Sequence, residues 1–180
     1  MILLGLLLAC HKPAPPPPLV EPDVSVTAPA LAGDIRGGVF QDRRYPVSVA
    51  LPEGWTGSVG TEPSPMRLTA AHAATGAVVQ VITLPQGASA PLSRPGCSWT
   101  FVDVGRYRDL TVATDVTVAT CTPRDPTGPR VFAVLTQREG FTLDLELSVP
   151  NLQLAAGRAA GELLLRGVRF ESAPLGLPAL

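Results

Sequence analysis

The sequence predicts an α+β fold, an antiparallel β-sheet with a C-terminal amphipathic helix packed on it. Three observations carry this. Several segments between Tyr45 and Val149 alternate apolar and polar residues at period two, the spacing of a half-buried strand. The one stretch with apolar residues at spacings of three and four, Leu152 to Leu163, follows all of them. Strands first, then a helix, then a short closing segment is the order of an α+β layer arrangement.

In Tyr45 to Leu51, Val47, Val49 and Leu51 share one face, and Pro46 sits near the start, where a missing donor is tolerated. Pro52-Glu53-Gly54 supplies turn chemistry before Trp55. Met66 to His72 is a weaker strand. Ala77 to Leu84 is nearly continuous in apolar residues and rich in valine, as a central strand requires. Gln86 to Gly96 reads as a loop, and Trp99 to Val104 as a short strand.

Thr111 to Cys121, Arg130 to Gln137 and Phe141 to Val149 then form an antiparallel meander, with turns at Pro123 to Pro129 and Arg138-Glu139-Gly140. The last strand alternates strictly. Phe141, Leu143, Leu145, Leu147 and Val149 face one way, and Thr142, Asp144, Glu146 and Ser148 the other. Asn151 is placed to cap the helix. Leu152, Ala156, Ala159, Ala160 and Leu163 form its apolar stripe, Arg158 and Glu162 pair at four residues, and Gly167 stops it. Val168-Arg169-Phe170 is a closing strand or a tail against the sheet. No internal repeat occurs.

Composition limits the function classes. The 180 residues carry a net charge of −1, which argues against nucleic acid as a partner, since that needs a basic surface to neutralise phosphates. At 46% hydrophobic residues the chain is too apolar to be wholly disordered. Lys12 is the only lysine, and the arginine, alanine, glycine and proline excess reflects GC-rich codons.

The N-terminus reads as an address. Met1 to Ala9 is apolar and uncharged. As a helix it is about 13.5 Å long, against a bilayer core of about 30 Å, so it suits a signal h-region better than a span. Leu7-Leu8-Ala9-Cys10 resembles a bacterial lipobox. The resemblance implies cleavage before Cys10, acylation of its thiol, and two or three acyl chains for stable anchoring. His11 to Pro18 is proline-rich and disfavours helix. The expected organisation is a signal peptide over 1–9, a lipidated cysteine and tether over 10–36, a folded domain over 37–172 and a tail over 173–180. His11 stands where inner-membrane retention uses aspartate, so the expected location is the outer membrane, facing the periplasm.

Tyr45 to Trp55, reading Tyr-Pro-Val-Ser-Val-Ala-Leu-Pro-Glu-Gly-Trp, is similar to the opening strand of PsbP-like domains. Their ending is similar to the meander, proline, helix and Leu165-Arg166-Gly167-Val168-Arg169-Phe170 seen here. This likeness spans residues 39–171. It implies an α/β/α sandwich and an accessory or binding role, and transfers no site residues.

With Cys10 assigned to lipidation, Cys97 and Cys121 remain, an even pair in an exported chain and therefore an expected disulfide. The metal or redox alternative lacks Cys-x-x-Cys spacing and a nearby histidine. His72 is the one histidine of the expected domain, and no Gly-x-Ser-x-Gly elbow accompanies it. Asp144 and Glu146 share a strand face and suggest an acid pair, but a solvated face is the simpler reading. Gly157-x-x-x-Gly161 reads as helix packing in water. Arg106, Tyr107 and Arg108 suggest an anion-binding edge or an exposed turn. The sequence is thus expected to encode a non-enzymatic binding or assembly domain on a lipid anchor, without metal or cofactor, whose partners are the membrane and an envelope protein. The alternatives are a lipid-anchored hydrolase using His72 and a structural subunit of an envelope complex.

Overall fold

Period-two alternation resolves into two antiparallel sheets. The computed structural model describes residues 28–92, 96–102, 116–125 and 127–170. Its strands are β1 (Gly33–Arg36), β2 (Val39–Asp42), β3 (Val47–Ala50), β4 (Trp55–Val59), β5 (Met66–His72), β6 (Val78–Pro85), β7 (Cys97–Val102), β8 (Val116–Pro123), β9 (Arg130–Arg138), β10 (Phe141–Val149) and β11 (Val168–Phe170). One helix, α1 (Leu154–Leu165), follows β10 after a 3-10 turn over Asn151–Gln153. The small sheet has the order β1-β2-β3-β11, and the large one β4-β5-β6-β10-β9-β8-β7. The antiparallel sheet with a C-terminal helix packed on it is therefore the observed fold class.

The meander is observed as β8-β9-β10, and β6 is an interior strand, as its apolar run requires. Gly140 turns β9 into β10 at φ 83°, a backbone state that favours glycine. β10 is the fourth of seven strands. Its Leu143, Leu145, Leu147 and Val149 join Val79, Val81, Val118 and Val134 in the main core. The small sheet and α1 cover that face. Val49, Leu164 and Val168 enter the same cluster, and α1 lies on β10 and β3.

Four local expectations need correction. Gly33–Arg36, placed at the end of the tether, is β1; Ala32 is fully buried and Leu31 bridges Thr61. Four residues with one large apolar side chain are too short for a period to show. β4 was not expected either, because Trp55-Thr-Gly-Ser-Val59 alternates too weakly. Asn151 does not cap the helix: its Nδ2 donates to the Gly128 carbonyl at 2.8 Å, and no side chain caps α1.

The helix buries a different face from the one expected. α1 buries Gly157, Gly161, Leu164 and Leu165, whereas Leu152 and Leu163 are 98% and 59% exposed. A Cβ at Gly157 would stand 2.5 Å from Val149 and one at Gly161 2.4 Å from Leu147. The helix approaches β10 through its two glycines; of the stripe read as inward only Ala160 packs against the core, while Leu152, Ala156, Ala159 and Leu163 are exposed.

The sheets are tied by one ion cluster. The β5–β6 register shifts between Met66 and Leu68, making Arg67 the extra residue of a bulge. A bulge re-aims its side chain. Arg67 Nε donates to Asp42 Oδ2 at 2.7 Å and Nη2 to Asp42 Oδ1 at 3.0 Å, a two-pronged pair with both side chains buried. Nη2 also donates to Glu62 Oε1 at 2.7 Å and to the Ala32 carbonyl at 3.2 Å. Asp42 Oδ1 in turn accepts the backbone N–H groups of Arg44 and Tyr45. Burial disfavours the guanidinium charge, yet the hydrogen bonds to Asp42 and Glu62 outweigh it and hold Arg67 above its ordinary pKa. The hydrogen bond from Arg67 holds the Glu62 carboxyl below its own.

Removing the guanidinium leaves Asp42 buried and unpaired. Arg67→Met is expected to lose about 3–5 kcal/mol in urea unfolding; a loss below about 1 kcal/mol, the worth of an exposed pair, would show that the cluster is dispensable. Because the Glu62 pKa is lowered on folding, its stabilisation is complete above glutamate's ordinary value. It is lost as pH falls through the folded-state value. Glu62→Gln should therefore flatten the acid limb of a Tm-against-pH curve, and an unaltered limb would contradict this assignment.

Candidate functional site

The side chains singled out for chemistry lie on opposite faces of the large sheet. His72 ends β5 on the face that carries Leu68 and Ala70, opposite Trp55 across the β4–β5 pair. Its ring lies 5.2 Å from the Trp55 ring, and Nδ1 is hydrogen-bonded to Thr75 Oγ1 at 2.9 Å. A Cβ at Gly54 would meet the ring at 2.8 Å, so glycine there leaves room for it. His72 thus closes the β4–β5 corner.

Asp144 and Glu146 lie on the other face of β10, and that face is not the solvated one expected. They are 0% and 1% exposed. Their cross-strand neighbours are Ile82 and Gln80 on β6 and Leu135 and Ala133 on β9. Ile82, Leu84, Ala119, Ala133 and Leu135 form a second, smaller core there, with Met66, Ala88 and Trp99 packed against it. The segment after β6 helps to cover it. Gln137 accepts the Gly87 N–H and donates to the Ala88 carbonyl, and Asp144 Oδ2 accepts the Leu92 N–H at 3.0 Å. Carboxylates read as facing water are therefore part of a second interior, where polar groups must be hydrogen-bonded or paired.

The expected disulfide is present. Cys97 and Cys121 are bonded, with Cα atoms 5.5 Å apart. The register sets Trp99 opposite Cys121 and Cys97 opposite Pro123, so the bond runs diagonally and staples the edge strand β7 to β8. Cys121 shares its face with Ala119, the second core. Cys10, Arg106, Tyr107 and Arg108 lie outside the described residues. Among the described residues no three His, Cys, Asp or Glu side chains come together as a metal site.

Two surfaces expose apolar side chains in groups. On β7, Phe101 is 53% and Val102 38% exposed. On α1 and the turn before it, Leu152, Leu154 and Leu163 are exposed, with Ala155, Ala156 and Ala159 between them. An open cleft of about 510 Å³ runs along the helix flank, lined by Leu154, Ala155, Arg158, Ala159 and Glu162. Arg158 Nε is 2.9 Å from Glu162 Oε1, the pair expected at this spacing. Such grouped exposure marks surfaces for contact. The residues of the helix stripe were legible but expected to face inward, and Trp99 to Val104 was legible as a strand but not as an exposed edge, because alternation does not say whether a strand has a neighbour on both sides.

No family model matches the chain, and no curated protein matches it. Among solved structures it is similar to cyanobacterial PsbP (CyanoP) from Synechocystis sp. PCC 6803, with a TM-score of 0.48 and 12% identity. The match covers 82% of this chain and 96% of that one.

With the paired cysteines 24 residues apart, the cross-link is expected to contribute about 3 kcal/mol. Mass spectrometry of non-reduced protein should find the Cys97 and Cys121 peptides joined. Recovery of both as free thiols from protein purified without reductant would reject the bond.

Proposed function

We propose that this chain is a lipid-anchored protein of a bacterial envelope whose folded domain binds or assembles with other proteins and performs no catalysis. The observation that carries the reading is the pairing of a lipobox-like Leu7-Leu8-Ala9-Cys10 with a cross-strand disulfide in the domain that follows. Disulfides persist where proteins are exported, and a lipobox is an export signal. In this reading the proline-rich residues after Cys10, which lie outside the described residues, serve as the tether between anchor and domain.

Binding is favoured over hydrolysis by placement. His72 is engaged by Trp55 and Thr75 on one face of the large sheet, and Asp144 and Glu146 are buried on the other. The sheet stands between base and acids, so they cannot meet at one substrate as a triad requires. The exposed apolar residues of α1 instead form a contact surface. The PsbP-like wording of residues 45–55 and 165–170 supports the same accessory role. Its chemistry is one of position: an acyl anchor raises the local concentration of a weak binding surface at the membrane.

Fractionation of the producing cells tests the anchor. The wild-type protein is expected to pellet with membranes and enter detergent, and Cys10→Ala to remain out of the detergent phase. Equal membrane partitioning of the two proteins would discard acylation as the anchor.

A further inference from the structure

The two edges of the large sheet are treated differently. At one, β4 is packed by β1, and the chain before β1 bridges Thr61 just beyond β4. At the other, β7 has a hydrogen-bonded neighbour, β8, on one side only among the described residues. Exposed edges in natural sheets are guarded by charge, proline or a bulge. β7 reads Cys-Ser-Trp-Thr-Phe-Val, with no charged residue and no proline, and its pairing with β8 keeps one register throughout. The disulfide staples this edge in place, and Phe101 beside it is 53% exposed.

We infer that β7 is a self-association edge: two copies of the chain pair their β7 strands antiparallel about a two-fold axis at Thr100. This goes beyond the anchored-binding reading and does not depend on it. A two-fold axis perpendicular to the sheet sets residues of the same face opposite one another. Centred on Thr100, the register places Thr100 against its own copy, Trp99 of each chain against Phe101 of the other, and Ser98 against Val102. Threonine pairs and aromatic pairs are favourable cross-strand combinations. Because the strand is uncharged, self-pairing brings no like charges together, and it covers Phe101 and Val102 in both copies. Five residues per strand is a small contact, below the roughly 800 Å² per partner of a standard interface. The association is therefore weak and reversible.

Cysteine trapping tests the register in the full-length chain in detergent, with Cys10→Ser removing the remaining thiol. Opposed Cα atoms of an antiparallel pair lie about 4.5–5.5 Å apart, within disulfide range. Thr100→Cys is expected to oxidise to a dimer seen without reductant, while Ser98→Cys and, at the far edge, Thr56→Cys stay monomeric. Adding Phe101→Lys to Thr100→Cys should cut the dimer yield roughly tenfold or more, through two lost aromatic pairs and new like charges, with the circular dichroism spectrum unchanged. Absence of the Thr100→Cys dimer, equal trapping at all three positions, or a yield indifferent to Phe101→Lys overturns the proposal. Capture of a different protein at Thr100→Cys in place of a second copy overturns it as well.

Discussion

A buried guanidinium sets the relation between the two sheets. Arg67 is carried on a bulge of β5, yet its acceptors are on β2, just before β1, and in the turn at Glu62. One side chain thus joins the nearby turn at Glu62 to two stretches 25 and 35 residues away in sequence, and each contact is directional, unlike the apolar packing around it. Breaking such a pair is costly because the partner charge stays out of water. Tyr45 belongs to the same arrangement: its N–H is held by Asp42, Arg67 lies 5.2 Å from its ring centroid, and its ring packs on Phe141 of β10. The small sheet is therefore fixed over the first face of the large sheet.

With that face occupied, the chemistry of the molecule is partitioned. Everything apolar on one side of β10 enters the main core, together with Trp55, on which His72 rests. On the other side Thr142, Asp144 and Glu146 are buried in a second interior. A sheet with both faces covered leaves few open positions for reactive groups in its middle. Its exposed apolar side chains group where covering stops, at the β7 edge and on the outside of α1.

The helix shows how close approach redirects a pattern. Leu152, Ala156, Ala159 and Leu163 satisfy the spacing of a buried stripe, but so do Gly157, Gly161 and Leu164 on the opposite side. Helix-to-sheet contact favours the side that lets the backbones come nearest, and a side chain as small as hydrogen wins there over leucine. Gly167 acts similarly at the turn into β11, where a Cβ would meet the Ala50 carbonyl at 2.9 Å.

What local chemistry dictates was legible without coordinates. Period-two alternation in Phe141 to Val149, the meander, the Arg158–Glu162 pair and the joining of Cys97 to Cys121 are each set by neighbours along the chain or by counting. β1, β2 and β4 were not legible, because their stability comes from neighbouring strands and not from their own pattern, whereas the equally short β3 was legible because Val47, Val49 and Leu51 alternate through and beyond it. Nor was the burial of Asp144 and Glu146, since alternation says which side chains share a face but not what lies over it. The reach of Arg67 to Asp42 is of the same kind. Twenty-five residues separate the two in sequence, and only the packing of one sheet on the other removes the water that would otherwise solvate both charges.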